Sequence, residues 1–317
     1  MLNLHAIICL ILICNAYLDY NPETKETKFS IVTSLSFKDD DLSKNSGYLC
    51  REHSYYFTPE LYLTAIESVS MNDGNGIDEF NLIMCQNYKS NNDNWRSQLY
   101  QCNAAYQDNP ETAHRICGNE EYNVLYSIAG SSYHLYRMPE DAAISITGPL
   151  RFVTQIHYKC HRRPHVYGIK LKLHFTTRIP KTFLKTISIV SNDAVDVDVL
   201  DNGRKQSKLC WFKGDQTIIR PVLFRLIAVG YYRAQLIIHH RNNNETEKFN
   251  IKASQDYHPP TSSIIKLSDG DELYMLCYSN KTNMLDKEHH MHSKCNFYML
   301  YETTENKESD LSHNIIC

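Results

Sequence analysis

Apolar residues in this chain recur at every second position, and that period limits the fold more than any other feature. Ile169, Leu171, Leu173 and Phe175 alternate with Lys170, Lys172 and His174. Successive side chains of a strand point to opposite faces, so this is the pattern of a half-buried β-strand. Val195, Val197 and Val199 alternate with Asp196 and Asp198 in the same way. Cys295, Phe297, Met299 and Tyr301 line one face of another strand, with Asn296, Tyr298 and Leu300 on the other. Shorter apolar runs around Ile31, Leu82, Val153 and Leu223 are separated by polar turns. The best candidate for a helix is the short stretch from Glu60 to Ser68. Short alternating strands with turn-rich connections predict an all-β chain of antiparallel β-sandwiches.

The cysteines divide that chain in two. Residues 1–16 hold the apolar run Ala6 to Cys14 and end on the small residue Ala16, which reads as a secretory signal peptide. A short membrane anchor is the alternative, although the run falls below the roughly 20 residues that span a bilayer. Eleven cysteines occur; Cys9 and Cys14 would leave with the signal, so nine remain. Four lie before residue 120 and four after residue 205, with Cys160 left between them. An oxidising compartment makes them disulfide partners, which predicts two separately stapled domains. The boundary is placed at Thr177-Arg178-Ile179-Pro180, where a proline follows the alternating strand. The expected domains are therefore residues 17–178 and 179–317.

Charge excludes some partners. The net charge is −3, so no global field favours nucleic acid or an anionic membrane. The 22 tyrosines suit strands and recognition surfaces. Asn244-Glu245-Thr246 and Asn280-Lys281-Thr282 are glycosylation sequons, expected at the surface of an exported protein.

Three stretches resemble one family. They are Gly47-Tyr48-Leu49-Cys50, Phe152-Val153-Thr154-Gln155-Ile156-His157-Tyr158, and Asp269-Gly270-Asp271 through Cys277, the last followed by Cys295-Asn296-Phe297-Tyr298 and Cys317. Together they are similar to the copper type II, ascorbate-dependent monooxygenases, and within these to the peptidylglycine α-hydroxylating monooxygenases. The resemblance runs from about residue 28 to the end. It implies two jelly-roll-like β-sandwich domains side by side, stapled by Cys50–Cys102, Cys85–Cys117, Cys210–Cys317 and Cys277–Cys295. The family's additional pair has neither cysteine at the expected place.

The same resemblance implies two copper sites, and here the chain departs from the pattern. The first site takes an adjacent His-His pair before Cys85 and one histidine from the Gln155-to-Tyr158 segment. The second takes a His-x-His pair after Cys210 and a methionine just before Cys295. Imidazole and thioether suit a copper that changes oxidation state. Met71 to Met84 contains no histidine, and Asp78-Glu79 stand nearest the expected pair. Trp211 to Ile238 contains none either, with Leu226, Ala228 and Gly230 in the region. Lys294 replaces the methionine, and a protonated lysine offers no lone pair. His157 alone survives of the ligand set.

On the substrate side, Asn296 and Tyr298 match positions that in the family contact a peptide's C-terminal end. Gln155 matches a residue beside the substrate path, and Arg225 stands in for the carboxylate-binding arginine. The alternative is that Asn296 and Tyr298 simply belong to a well-kept strand. Other clusters have surface readings beside sharper ones. His289-His290-Met291-His292 is read as a solvated loop, with metal binding as the alternative, and His239-His240 as a surface strand end. Lys159-Cys160-His161-Arg162-Arg163 surrounds the odd cysteine with cations that favour a thiolate. Cys160 is read as partly buried, with a reactive thiol or an intermolecular disulfide as the alternative.

The expectation is a secreted, catalytically inactive relative that binds or scaffolds, holding a peptide carboxylate between its domains and needing no cofactor. The alternative is an active copper- and ascorbate-dependent monooxygenase of glycine-extended peptides, its site rebuilt from His157, Asp78, Glu79 and the His289-to-His292 loop. A sugar-processing protein is a third reading, because similar paired sandwiches occur in a peptide-N-glycosidase; no paired-carboxylate motif supports it.

Overall fold

The computed structural model describes residues 17–21, 26–37, 47–71, 77–85, 100–102, 117, 122–129, 135–158, 167–189, 204–206, 209–213, 217–228, 233–252, 254–258, 264–278, 295–303 and 315–316. Among these residues there are strands and turns and no helix, so the chain is all-β. It divides into two compact units, the boundary between them falling between Phe183 and Leu184.

The first unit holds β1 (Tyr17–Asn21), β2 (Glu26–Phe37), β3 (Gly47–Met71), β4 (Ile77–Cys85), β5 (Tyr100–Cys102), β6 (Tyr122–Ala129), β7 (Leu135–Arg137), β8 (Ala142–Tyr158), β9 (Tyr167–Thr176) and the start of β10 (Thr182–Ile189). Its organising elements are the long strands β3 and β8. Gly47 to Phe57 pairs with the second half of β8, which pairs on its far side with β4, and β4 with β6. Leu61 to Leu63 pairs with the first half of β8, while Tyr62 to Met71 pairs on the other side with β9, and β9 with β2. Between these halves the ladder breaks, from Phe57 to Leu61. Pro59 lies in that gap and Gly148-Pro149 stand opposite its edge, at Phe57 and Tyr56. Proline has no N–H for the ladder, so the irregularity falls where the sequence cannot donate. One pair of strands thereby serves two sheet portions. Tyr126 of β6 and Tyr136 of β7 stack across them, ring centroids 6.4 Å apart.

Glu60 to Ser68, expected as a helix, belongs to β3. Its apolar residues Leu61, Leu63 and Ile66 are all buried, against β8 on one side and β9 on the other. Partners more than eighty residues away in sequence decide its conformation, and local propensity does not. The expected boundary also shifts, for a visible reason. Asp141 accepts from Lys181 Nζ at 2.6 Å and faces Arg178 at 3.3 Å, while its carbonyl takes the N–H groups of Lys181 and Thr182. Thr182 and Phe183 then pair in parallel with Ala142 and Ala143. The segment after Thr177 is thus tied to the first unit before the chain leaves it.

The second unit takes the rest of β10, then β11 (Arg204–Gln206), β12 (Cys210–Phe212), β13 (Thr217–Ala228), β14 (Arg233–His239), β15 (Thr246–Lys252), β16 (Ser254–His258), β17 (Ile265–Leu267), β18 (Glu272–Tyr278), β19 (Cys295–Thr303) and β20 (Ile315–Ile316). One sheet runs β10-β19-β13-β16, with β17 also on β13; the other runs β15-β14-β18-β12-β20, with β11 on β18. The inward residues of both form a single core. Ile187, Phe224, Leu226, Phe297 and Met299 come from the first sheet, and Phe212, Leu236, Ile238, Phe249 and Met275 from the second. Two facing sheets that share one core are a β-sandwich. Each such side chain, fully buried, contributes about 1.5–3 kcal/mol.

Candidate functional site

The β13–β19 pair carries the polar residues expected to meet a peptide. Phe224 and Leu226 face the core with Phe297 and Met299, so the residues between them face the other way. Arg225 stands directly opposite Tyr298, and Asn296 opposite Ile227. The three form a compact set on one face of the sheet. They are also buried: Arg225 is 1 % exposed, Tyr298 2 % and Asn296 4 %. Arg225 is the largest fully buried side chain among the described residues. A cation inside the apolar run Val222 to Ile227 is the sequence signal that marks the place. As the structure stands, none of the three presents surface to a ligand.

The same register shows what stands across from the start of β19. Ala228 pairs with Cys295, the residue after Lys294, and Leu226 pairs with Phe297. The stretch of β13 paired with the start of β19 is therefore aliphatic, and Leu226 points into the core. Aliphatic side chains offer a metal nothing, so these residues do not fit a copper centre of the family type. Lys294 itself lies outside the described residues, as do Cys160 with its basic neighbours, His289 to His292, Asn280, Cys317, the signal segment and Val195 to Val199.

In the first unit, β8 brings His157 between Tyr48 of β3 and Glu79 of β4. Ile77 pairs with Tyr158 and Glu79 with His157, so Asp78 is the extra residue of a bulge. Of the ligands considered for a rebuilt site, Glu79 and His157 are thus direct cross-strand neighbours; their side chains lie outside the described set. Next along β8 is Gln155, fully buried, with a structural task. Its Oε1 accepts from Asn81 Nδ2 at 3.0 Å, and its Nε2 reaches Cys102 Sγ at 3.8 Å. Cys102 is joined to Cys50, and Cys85 to Cys117. Cys210 and Cys277 are also disulfide-bonded, and their partners are outside the described side chains.

The Asp269-Gly270-Asp271 turn is held by a buried carboxylate. Asp271 is 0 % exposed. Its Oδ2 meets His240 Nδ1 at 2.8 Å and accepts the Ser268 N–H at 2.8 Å, while Oδ1 accepts the Arg241 N–H at 3.1 Å. His240 is therefore not the surface residue expected from sequence, since it anchors the turn after β14. His239 does lie at the strand end, bonded to the Thr246 hydroxyl at 3.1 Å. Gly270 has φ +85°, and a side chain there would collide with Arg241 Cδ at 2.9 Å, so only glycine suits this turn.

Sequence reasoning missed two histidines. His174 bridges Ser30 Oγ at 3.1 Å and Glu67 Oε2 at 3.0 Å across β2, β9 and β3. The order serine–histidine–carboxylate is that of a hydrolytic triad, but these residues sit within paired strands, whose N–H groups serve the ladder instead of an oxyanion. The row is a cross-strand polar tie. His53 Nε2 lies 3.2 Å from Thr154 Oγ1, and burial, assisted by the charge of Arg51, lowers its pKa to about 4. Both contacts are non-local and leave no mark in the local sequence. Among the described residues, no three histidine, cysteine or acidic side chains converge as metal ligands do.

No family model matches this chain, and no curated protein does. Among solved structures it is similar to a Paenibacillus xanthan lyase, at 10 % identity and TM-score 0.19, over 92 % of this chain and 25 % of that one. The chain spans about a quarter of that protein's length, and a likeness this weak carries no argument.

Proposed function

We propose that the chain is a secreted relative of the peptidylglycine α-hydroxylating monooxygenases that binds or scaffolds without oxidising. The observation that carries the reading is the register of β13 on β19. Leu226 and Ala228 lie beside the strand start that follows Lys294, where the family pattern calls for imidazole and thioether. The buried set Arg225, Asn296 and Tyr298 has the chemistry to hold a peptide carboxylate, and a ligand would have to displace what covers it. Disulfides in both units, and no described helix long and apolar enough to cross a membrane, are compatible with the secretory route.

An active enzyme with a rebuilt site is the second reading, favoured by one observation: Glu79 stands opposite His157. The two readings separate on the purified protein. Metal content is measured together with oxygen uptake in the presence of ascorbate and a glycine-extended peptide. The inactive reading expects no stoichiometric copper and no turnover. Two tightly held coppers with peptide-dependent oxygen uptake would sink it.

A further inference from the structure

We propose that the outward face of the β15-β14-β18-β12 sheet seats an oligosaccharide, and that the occupant is the glycan the chain itself carries on Asn244. The inference rests on the secretory part of the reading above and is independent of the lost copper. Asn244 is exposed, in the turn joining β14 to β15, with φ 58°. From the third residue of its sequon a straight cross-strand row leads over the sheet: Thr246 pairs with His239, His239 with Glu272, and Glu272 with Trp211. That is three strand spacings, about 14 Å, a span that a few linked sugars cover.

The row ends on an aromatic platform. Trp211 is 45 % exposed, although Cys210 and Phe212 on either side of it are buried. Tyr274, two residues from Glu272, stands on the same outward face. Beside it Ile237 also points outward but, at 4 % exposure, presents no surface of its own, so the platform is made by Trp211 and Tyr274. The electron-rich face of an aromatic ring attracts polarised C–H bonds such as those on a pyranose. His239, Glu272 and the Tyr274 hydroxyl supply the polar contacts that sugar hydroxyls need. The aromatic platform and the attachment point thus share one face of one sheet, with no other element of the described chain between them in the row.

The test uses the full-length secreted protein. Mass spectrometry reads occupancy of Asn244, and hydroxyl-radical footprinting reads the oxidation rates of Trp211 and Tyr274 residue by residue. The comparison is between the native glycoprotein, the same folded protein after enzymatic glycan removal, and Asn244→Gln. Removal is expected to raise the Trp211 rate by roughly twofold, as one of its two ring faces is uncovered, whereas Asn280→Gln leaves it unchanged. An unmodified Asn244 in secreted protein, or a Trp211 rate that does not move in either deglycosylated form, overturns the proposal and leaves the copper question untouched. Retention of the chain in the cytosol would overturn both. Further protection of Trp211 when free N-glycan is added to the intact glycoprotein would also overturn it, by assigning the face to an external saccharide.

Discussion

Replacing Asp271 with alanine is expected to destabilise the second unit through the turn between β17 and β18. The carboxylate is fully buried and engages three donors, His240 Nδ1, the Ser268 N–H and the Arg241 N–H, at 2.8 to 3.1 Å. A buried donor left without its acceptor costs about 1–3 kcal/mol. Arg241 is exposed and Ser268 half-buried, so water recovers part of that for both. The sum for three donors then falls to about 3 kcal/mol. His240→Ala removes one donor and leaves both backbone ties, so its cost is about 1 kcal/mol. Asp271→Asn does not rescue, because one oxygen becomes an N–H group aimed at another donor. Urea denaturation followed by tryptophan emission reads all three variants. Trp211 adjoins Phe212, whose N–H donates to the Asp271 carbonyl at 2.8 Å. An Asp271→Ala cost below 1 kcal/mol, or one equal to that of His240→Ala, would refute the assignment of this carboxylate as the turn's anchor.

Further expectations concern each unit. His53 has a folded pKa of about 4 against an ordinary 6.5, so as pH falls the unfolded chain takes the proton first. The associated stability is full above pH 6.5 and is lost between 6.5 and about 4, amounting to about 3 kcal/mol, and a His53→Gln variant should show a flatter melting temperature over that window. Breaking Cys50–Cys102 by a double serine replacement should cost about 2–5 kcal/mol in the first unit, measured by denaturation with and without reductant. Arg225→Ala removes the largest fully buried side chain among the described residues and should cost about 3 kcal/mol or more by urea titration. Lys294→Met alone should bind no more copper than the natural chain in metal analysis, because Leu226 and Ala228 still offer no ligand.

What the sequence discloses follows the range of the interactions involved. Ile169 to Phe175 and Cys295 to Tyr301 read as strands because alternation is a local pattern, and they form most of β9 and β19. Glu60 to Ser68 misleads because a few apolar residues fit either period, and the partners that decide, on β8 and β9, are distant in the chain. The boundary moves beyond Pro180 because Asp141, some forty residues earlier, holds the segment back. The polar residues Gln155, Arg225, Asn296 and Tyr298 are visible by type and position, but burial is a property of the assembled sheets. The same holds for His240, whose inward turn depends on a carboxylate 31 residues away.

On the proposed reading, the two strands at the centre of the second unit would keep the scaffold without the copper chemistry. Alternation gives β13 and β19 one face for the shared core and another for Arg225, Asn296 and Tyr298. The core face is filled by Phe224, Leu226, Phe297 and Met299, and any change there must conserve volume. An imidazole at position 226 would place a polar ring among those side chains, where it needs either a metal or a hydrogen bond to offset its burial. Leucine needs neither. On that reading, with no metal to satisfy the position, the aliphatic residue is the more stable choice, and the next residue of the pattern, Ala228, pairs with Cys295. The opposite face, with Arg225, Asn296 and Tyr298, is buried as well, so its polar residues persist only where the surrounding protein satisfies them, and nothing in that requirement calls for a metal.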